Sequence, residues 1–150
     1  RYSTKVTRLA MPDYMADTGE REQIRAENRK AADRILQLCR ENGAQLLLVE
    51  LPTVTSWNAA RHRGVAEFAV ARELEFLDLN LLYDQMGLDG AVAFRDAGNH
   101  LNVTGATAAT AYLGRYIPRR YRLPDLRGNS RYANRQEEWV CYRRFVNGNV

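Results

Sequence analysis

Between about residues 18 and 42 the apolar positions recur with a helical period. Ile24, Ala31, Ile35 and Leu38 are separated by Arg, Lys and Glu, which predicts an amphipathic helix near 18–42. Asp17 or Thr18 is placed to cap it, and Glu20 stands three residues after Asp17, as in a capping box. Asn42-Gly43 ends it, glycine being suited to a left-handed turn. The run Leu46-Leu47-Leu48-Val49 is wholly apolar and is closed by Pro52, which predicts a strand at 45–50 covered on both faces, as in a parallel sheet. A loop over 53–58 leads to a second helix near 58–73, with Val65, Phe68, Ala69 and Ala71 toward the core. Phe76-Leu77-Asp78-Leu79 predicts a strand at 75–79. Residues 80–99 are loop-rich, with Gly87, Gly90 and Gly98. A third helix is expected near 103–117, capped by Asn102 or Thr104 and stopped by Pro118.

Helix and strand alternate in the rhythm of βαβ units. The expected fold is α/β: part of a flavodoxin-like three-layer arrangement with a mainly parallel sheet over residues 1–117. Residues 1–16 read as irregular, with Pro12 as punctuation. Residues 118–150 read as an irregular Arg/Tyr-rich extension packing on the domain, with a short helix near 133–145. With so few strands, one sheet edge is expected to be incomplete and open to association.

Composition narrows the class. Of the 150 residues, 45% are hydrophobic and 27% charged, as in ordinary globular domains. No apolar run approaches the roughly 20 residues of a membrane span, and no secretory signal pattern is visible. The chain opens on Arg1-Tyr2 without a Met, so a piece of a longer protein is expected. The net charge of +4 is uneven: residues 115–150 carry nine Arg against Asp125, Glu137 and Glu138, a net of +6. Arg with aromatics can serve RNA stacking and phosphate contact. The interleaved acids and the lack of an RNA-binding motif argue against it, and no nucleic-acid partner is expected. Cys39 and Cys141 lack the paired spacing of a zinc site. Cys39 is expected as a buried thiol, and a Cys39–Cys141 disulfide stays open. No metal cluster or Gly-rich phosphate loop is present, and no cofactor is implied.

Histidine is the commonest general base near neutral pH, and there are two. His62, between Arg61 and Arg63 on the second helix, reads as a surface residue, with a glycan or substrate contact open. His100 sits in Asp96-Ala97-Gly98-Asn99-His100-Leu101-Asn102, between a strand-like Ala93-Phe94 and the third helix. A carboxylate four residues upstream on a Gly-containing loop can fold back onto the imidazole and fix its tautomer. The same spacing also fits a polar turn that only satisfies backbone groups. Asn102-Val103-Thr104 matches a glycosylation pattern but reads as a helix cap, and Asp78 and Asn80 read as structural hydrogen bonders at a strand end.

The stretch from Asp96 to Ala106, followed by Tyr112-Leu113-Gly114-Arg115-Tyr116, resembles the C-terminal block of SGNH-superfamily (GDSL-like) proteins. It looks most like the divergent bacterial cell-surface branch, which includes D-alanyl-lipoteichoic acid transfer proteins and alginate O-acetyltransferases. The apolar strand, the loop with Leu51-Pro52-Thr53 and Ser56-Trp57-Asn58, and Phe76-Leu77-Asp78-Leu79-Asn80 fit the same branch. The resemblance spans residues 20–117. It implies a serine-type ester hydrolase or O-acyltransferase, with His100 as general base and Asp96 as its orienting carboxylate. The implied substrate is an acyl ester or glycan, as in cell-envelope polymers, and the implied parent is extracytoplasmic or membrane-anchored. Two departures stand. The family spacing is Asp-x-x-His, one residue shorter than here, and no strand is followed by Gly-Asp-Ser or Gly-x-Ser, nor is there a Gly-x-Asn-Asp block; Ser3 lies in the irregular leader and Ser130 in the Arg-rich extension. The nucleophile is therefore expected from elsewhere in the parent. Ser56 follows a strand, but Thr55 and Trp57 do not make a nucleophile elbow. Ser56, Trp57 and Asn58 are expected near substrate or as loop-packing residues. The alternative is a non-catalytic SGNH-like binding or assembly domain.

Overall fold

The computed structural model of the chain describes residues 3–146 and 148. The elements are α1 (Ala26–Glu41), β1 (Leu47–Glu50), α2 (Ala59–Val70), β2 (Glu75–Asp78), a 3-10 turn (Leu79–Leu81), α3 (Tyr83–Met86), α4 (Val103–Tyr121), a second 3-10 turn (Ser130–Tyr132) and α5 (Ala133–Val146). β1 and β2 pair in parallel, Leu47 opposite Glu75 through Glu50 opposite Asp78, with α2 as the crossover packed on β2. This is a partial α/β fold with a two-stranded parallel sheet. Among the described residues β1 pairs with β2 alone, so its other edge carries no strand.

The helices differ from the sequence pattern in instructive ways. α1 starts at Ala26 rather than near residue 18, and Arg25 precedes it without a side-chain cap. Asp17 is spent elsewhere: its carboxylate accepts the Gly19 N–H at 2.8 Å and pairs with Arg63. The segment before α1 stays extended and crosses α2, with the Glu22 N–H donating to the Ala60 carbonyl at 3.0 Å. That crossing needs Gly64, where a Cβ would stand 1.9 Å from the Glu22 carbonyl oxygen. The inward stripe of α1 is Ala32, Leu36 and Cys39, spaced four and three residues apart. Ile35 and Leu38, expected inside, are 51% and 44% exposed.

α4 is capped as expected: the Asn102 side chain accepts the Gly105 N–H at 3.0 Å. It runs one turn beyond Pro118, to Tyr121. Proline removes one helical hydrogen bond, but the flanking turns are held by β2. Glu75 accepts hydrogen bonds from the Tyr116 and Tyr121 hydroxyls and pairs with Arg120 at 2.9 Å. The hydrogen bond to Glu75 pushes the Tyr116 phenol up to about 12. Cys39 is half-buried, Cys141 exposed, and neither is bridged.

The core is built where the sequence shows least regularity. Met86, Leu88, Ala93 and Phe94, from the loop-rich segment, are buried with Val54, Leu77, Leu79 and Ala109. The N-terminal segment lies extended along this loop: Thr7 N–H donates to the Phe94 carbonyl at 2.9 Å and Leu9 N–H to that of Ala91 at 3.0 Å.

Candidate active-site loop

The turn that carries His100 is held at its base by paired backbone. Phe94 bridges Leu101 in antiparallel fashion, and the Arg95 N–H donates to the His100 carbonyl at 3.0 Å. Phe94 is fully buried and Asn102 nearly so, so both legs are anchored while Ala97, Asn99 and His100 are exposed. Gly98 has φ +93, and a Cβ there would lie 2.8 Å from the Val54 Cβ. Glycine therefore meets two demands at once, a left-handed backbone and a close approach. The approach is productive: Val54 N–H donates to the Gly98 carbonyl at 2.7 Å, and the Thr55 hydroxyl to the Asn99 side-chain oxygen at 3.3 Å. The loop after β1 and the His100 loop are thus tied together.

Within the turn the Asp96 carboxylate folds back. One oxygen accepts the N–H groups of Asn99 and His100 at 2.9 and 2.8 Å, and the other lies 2.7 Å from His100 Nδ1. Asp96 thus caps its own turn while fixing the imidazole, which makes the four-residue spacing workable. The His100 side chain is 55% exposed. The hydrogen bond from His100, helped by the two backbone N–H groups, holds the Asp96 carboxyl down to about 2. A depressed carboxylate stabilises the folded loop above its unfolded pKa, about 3.9, and that contribution is lost as pH falls toward 2. A carboxyl-carbon NMR titration should therefore place the Asp96 midpoint well below the ordinary Asp value of about 3.9. A midpoint near 4 would mean the pair is not formed.

His100, Ser56, Thr53, Asn99, Arg95 and Glu50 line one cleft of about 620 Å³ with Leu51, Leu101 and Leu113. That volume is in the range of small-ligand sites. A larger hollow of about 1170 Å³ lies in the C-terminal extension, but no histidine lines it. Size alone does not pick the site.

Ser56 reaches the cleft, yet its hydroxyl sits 2.9 Å from that of Thr53, and no hydrogen bond joins it to His100. Trp57 and Asn58 do not line the cleft. Trp57 packs edge-on against Phe76 and donates its indole N–H to Asp78 at 2.8 Å. Asn58 caps α2 by accepting the Arg61 N–H at 2.9 Å.

His62 is not the surface residue its Arg neighbours suggest. Its Nδ1 lies 2.7 Å from Asp78 Oδ2, and its side chain is 27% exposed against 1% for Asp78. The other Asp78 oxygen accepts the Asn80 backbone N–H at 2.9 Å and the Asn80 amide at 2.8 Å. The Asn80 side-chain oxygen in turn accepts from Thr53 N–H and the Tyr14 hydroxyl, each at 2.9 Å. Buried polar groups need such partners. This network pins residues 53–57 from beneath and supports the face against which the His100 loop rests.

Glu50, Thr53, Arg95 and Asn99 escaped the sequence reading. Glu50 offered one signal, a charge closing an apolar strand at the end where α/β sites gather. Among the described residues no group of three His, Cys, Asp or Glu side chains is placed to hold a metal ion. No family model matches the chain, and neither a curated protein nor a solved structure is found to match it.

Proposed function

We propose that the chain carries the Asp/His loop of an SGNH-type ester hydrolase or O-acyltransferase, acting on acyl esters of cell-envelope polymers. The observation that carries this reading is the 2.7 Å contact between Asp96 Oδ2 and His100 Nδ1 on an exposed turn beside a cleft. A carboxylate on Nδ1 fixes the tautomer and leaves Nε2 to take a proton from an attacking hydroxyl. His100 is then the general base and Asp96 its orienting partner. In this reading the hydroxyl comes from outside residues 1–150, since no serine hydroxyl among the described residues is hydrogen-bonded to His100. The parent is extracytoplasmic or membrane-anchored in this reading.

One observation favours the non-catalytic alternative: within the described residues no hydroxyl is bonded to His100 Nε2. The two readings part on activity. The 150-residue chain should turn over an activated acetyl ester no faster than buffer with free imidazole, since a base contributes only with its nucleophile. Turnover abolished by Ser56→Ala would instead make Ser56 the nucleophile.

A further inference from the structure

Residues 3–9 form neither helix nor strand, yet they are bonded to the chain on both sides of the His100 turn. The Thr7 N–H donates to the Phe94 carbonyl at 2.9 Å and the Leu9 N–H to that of Ala91 at 3.0 Å, while the Ser3 carbonyl accepts the Val103 N–H at 2.8 Å. The Thr7 hydroxyl reaches one residue further and donates to the Arg95 carbonyl at 2.9 Å. That carbonyl belongs to the peptide unit joining Arg95 to Asp96. A peptide unit is planar, so holding its oxygen fixes the plane and the direction in which the Asp96 Cα leaves it. The Arg95 N–H is held as well, by the His100 carbonyl at 3.0 Å. Leu9 and Val54 both press on Gly98, where a Cβ would lie 3.1 Å from Leu9 Cδ2 and 2.8 Å from Val54 Cβ. Thr7 and Leu9 are half-buried, whereas Thr4, Lys5, Val6 and Arg8 are exposed. A segment that buries so little sits at the low end of local stability.

We propose that Thr7 is a positioning residue for the Asp96–His100 pair, and that residues 3–9 are a strap whose docking sets the loop carrying that pair. The hydroxyl acts through the Arg95–Asp96 peptide unit, since Thr7 bonds neither to the Asp96 carboxylate nor to the imidazole. With the strap docked, the carboxylate is aimed so that one oxygen caps the turn and the other meets Nδ1. With the strap off, the Arg95 carbonyl loses its donor, the peptide plane is free to rotate, and the carboxylate swings away from the ring. Any event that draws the strap off therefore loosens the pair. The consequence for acyl transfer rests on the reading above; the positioning does not.

The test uses the isotope-labelled 150-residue chain with no substrate present, so it fails or succeeds independently of the acyl-transfer reading. Thr7→Val keeps the side-chain shape and the backbone N–H and removes the hydroxyl; Thr7→Ser keeps a hydroxyl. In Thr7→Val the Asp96 carboxyl midpoint should climb from about 2 by about half a unit or more toward the ordinary value of about 3.9. Thr7→Ser should stay at the wild-type midpoint. A threonine that served only to stabilise the fold would lower the thermal midpoint of Thr7→Val and leave the Asp96 titration where it is. A smaller rise in Thr7→Val, or the same Asp96 midpoint in both variants, overturns the proposal. Hydrogen exchange of the wild-type chain supplies a second reading that needs no variant. The Thr7, Leu9 and Arg95 amides should open together, with protection equal to within about fivefold. An Arg95 amide protected by more than that margin over Thr7 and Leu9 means that the loop stands without the strap, and overturns the proposal as well.

Discussion

Asp78→Ala is expected to lower the thermal midpoint of the chain by about 10 °C, the shift that roughly 3 kcal/mol produces in a domain of this size. The carboxylate is buried and collects donors from three residues on three segments. Removing it leaves the Trp57 indole N–H and two Asn80 donors without partners. Each orphaned buried donor costs about 1–3 kcal/mol, less where water can reach it. His62 is part-exposed and recovers some hydration, so its loss is discounted. Against a total stability of about 5–15 kcal/mol the effect is large. Asp78→Asn keeps the shape and one acceptor oxygen, so it should cost less. Thermal melts followed by circular dichroism decide it; an Asp78→Ala midpoint within a degree or two of wild type would mean the network is not formed.

On the proposed acyl-transfer reading, His100→Ala, made in a protein that joins this chain to its nucleophile, is expected to cut acyl transfer by about four to six orders of magnitude. The side chain is half exposed and makes one side-chain hydrogen bond, to Asp96. The fold should therefore survive, with circular dichroism and melting behaviour near wild type. Asp96→Asn should cost less than His100→Ala. The amide oxygen can still accept the turn's backbone N–H groups, and only the fixing of the imidazole suffers. Loss of activity without loss of fold separates chemistry from packing.

The alternation of helix and apolar strand was legible because periodicity reports which faces are covered. β1, β2 and α2, and the Asn102 cap, fall close to where the pattern puts them. The start of α1 was not legible. Asp17 and Glu20 spell a capping box, but Asp17 is drawn to Arg63 and the chain crosses Gly64 before turning helical. Tertiary contacts outweigh a local cap worth about 1 kcal/mol. Pro118 misled in the same way, since Glu75 holds the turns on both sides of it. The core of the loop-rich segment was hidden because Met86, Leu88 and Phe94 follow neither period. In the site, Asp96 and His100 were legible as neighbours on one turn. His62 and Asp78, sixteen positions apart, meet only because α2 packs back on β2. Glu50 and Arg95 share a cleft through the tie between Val54 and Gly98, which no local pattern announces.

The central claim is that the His100 imidazole, oriented by Asp96, takes the proton from an attacking hydroxyl. Imidazole added to the His100→Ala parent tests this most directly, because a free base can enter the space the side chain leaves. Acyl transfer should be nearly absent without imidazole and should recover in part as imidazole is raised. Full activity in His100→Ala with no imidazole present would contradict the claim and leave the loop as a structural turn.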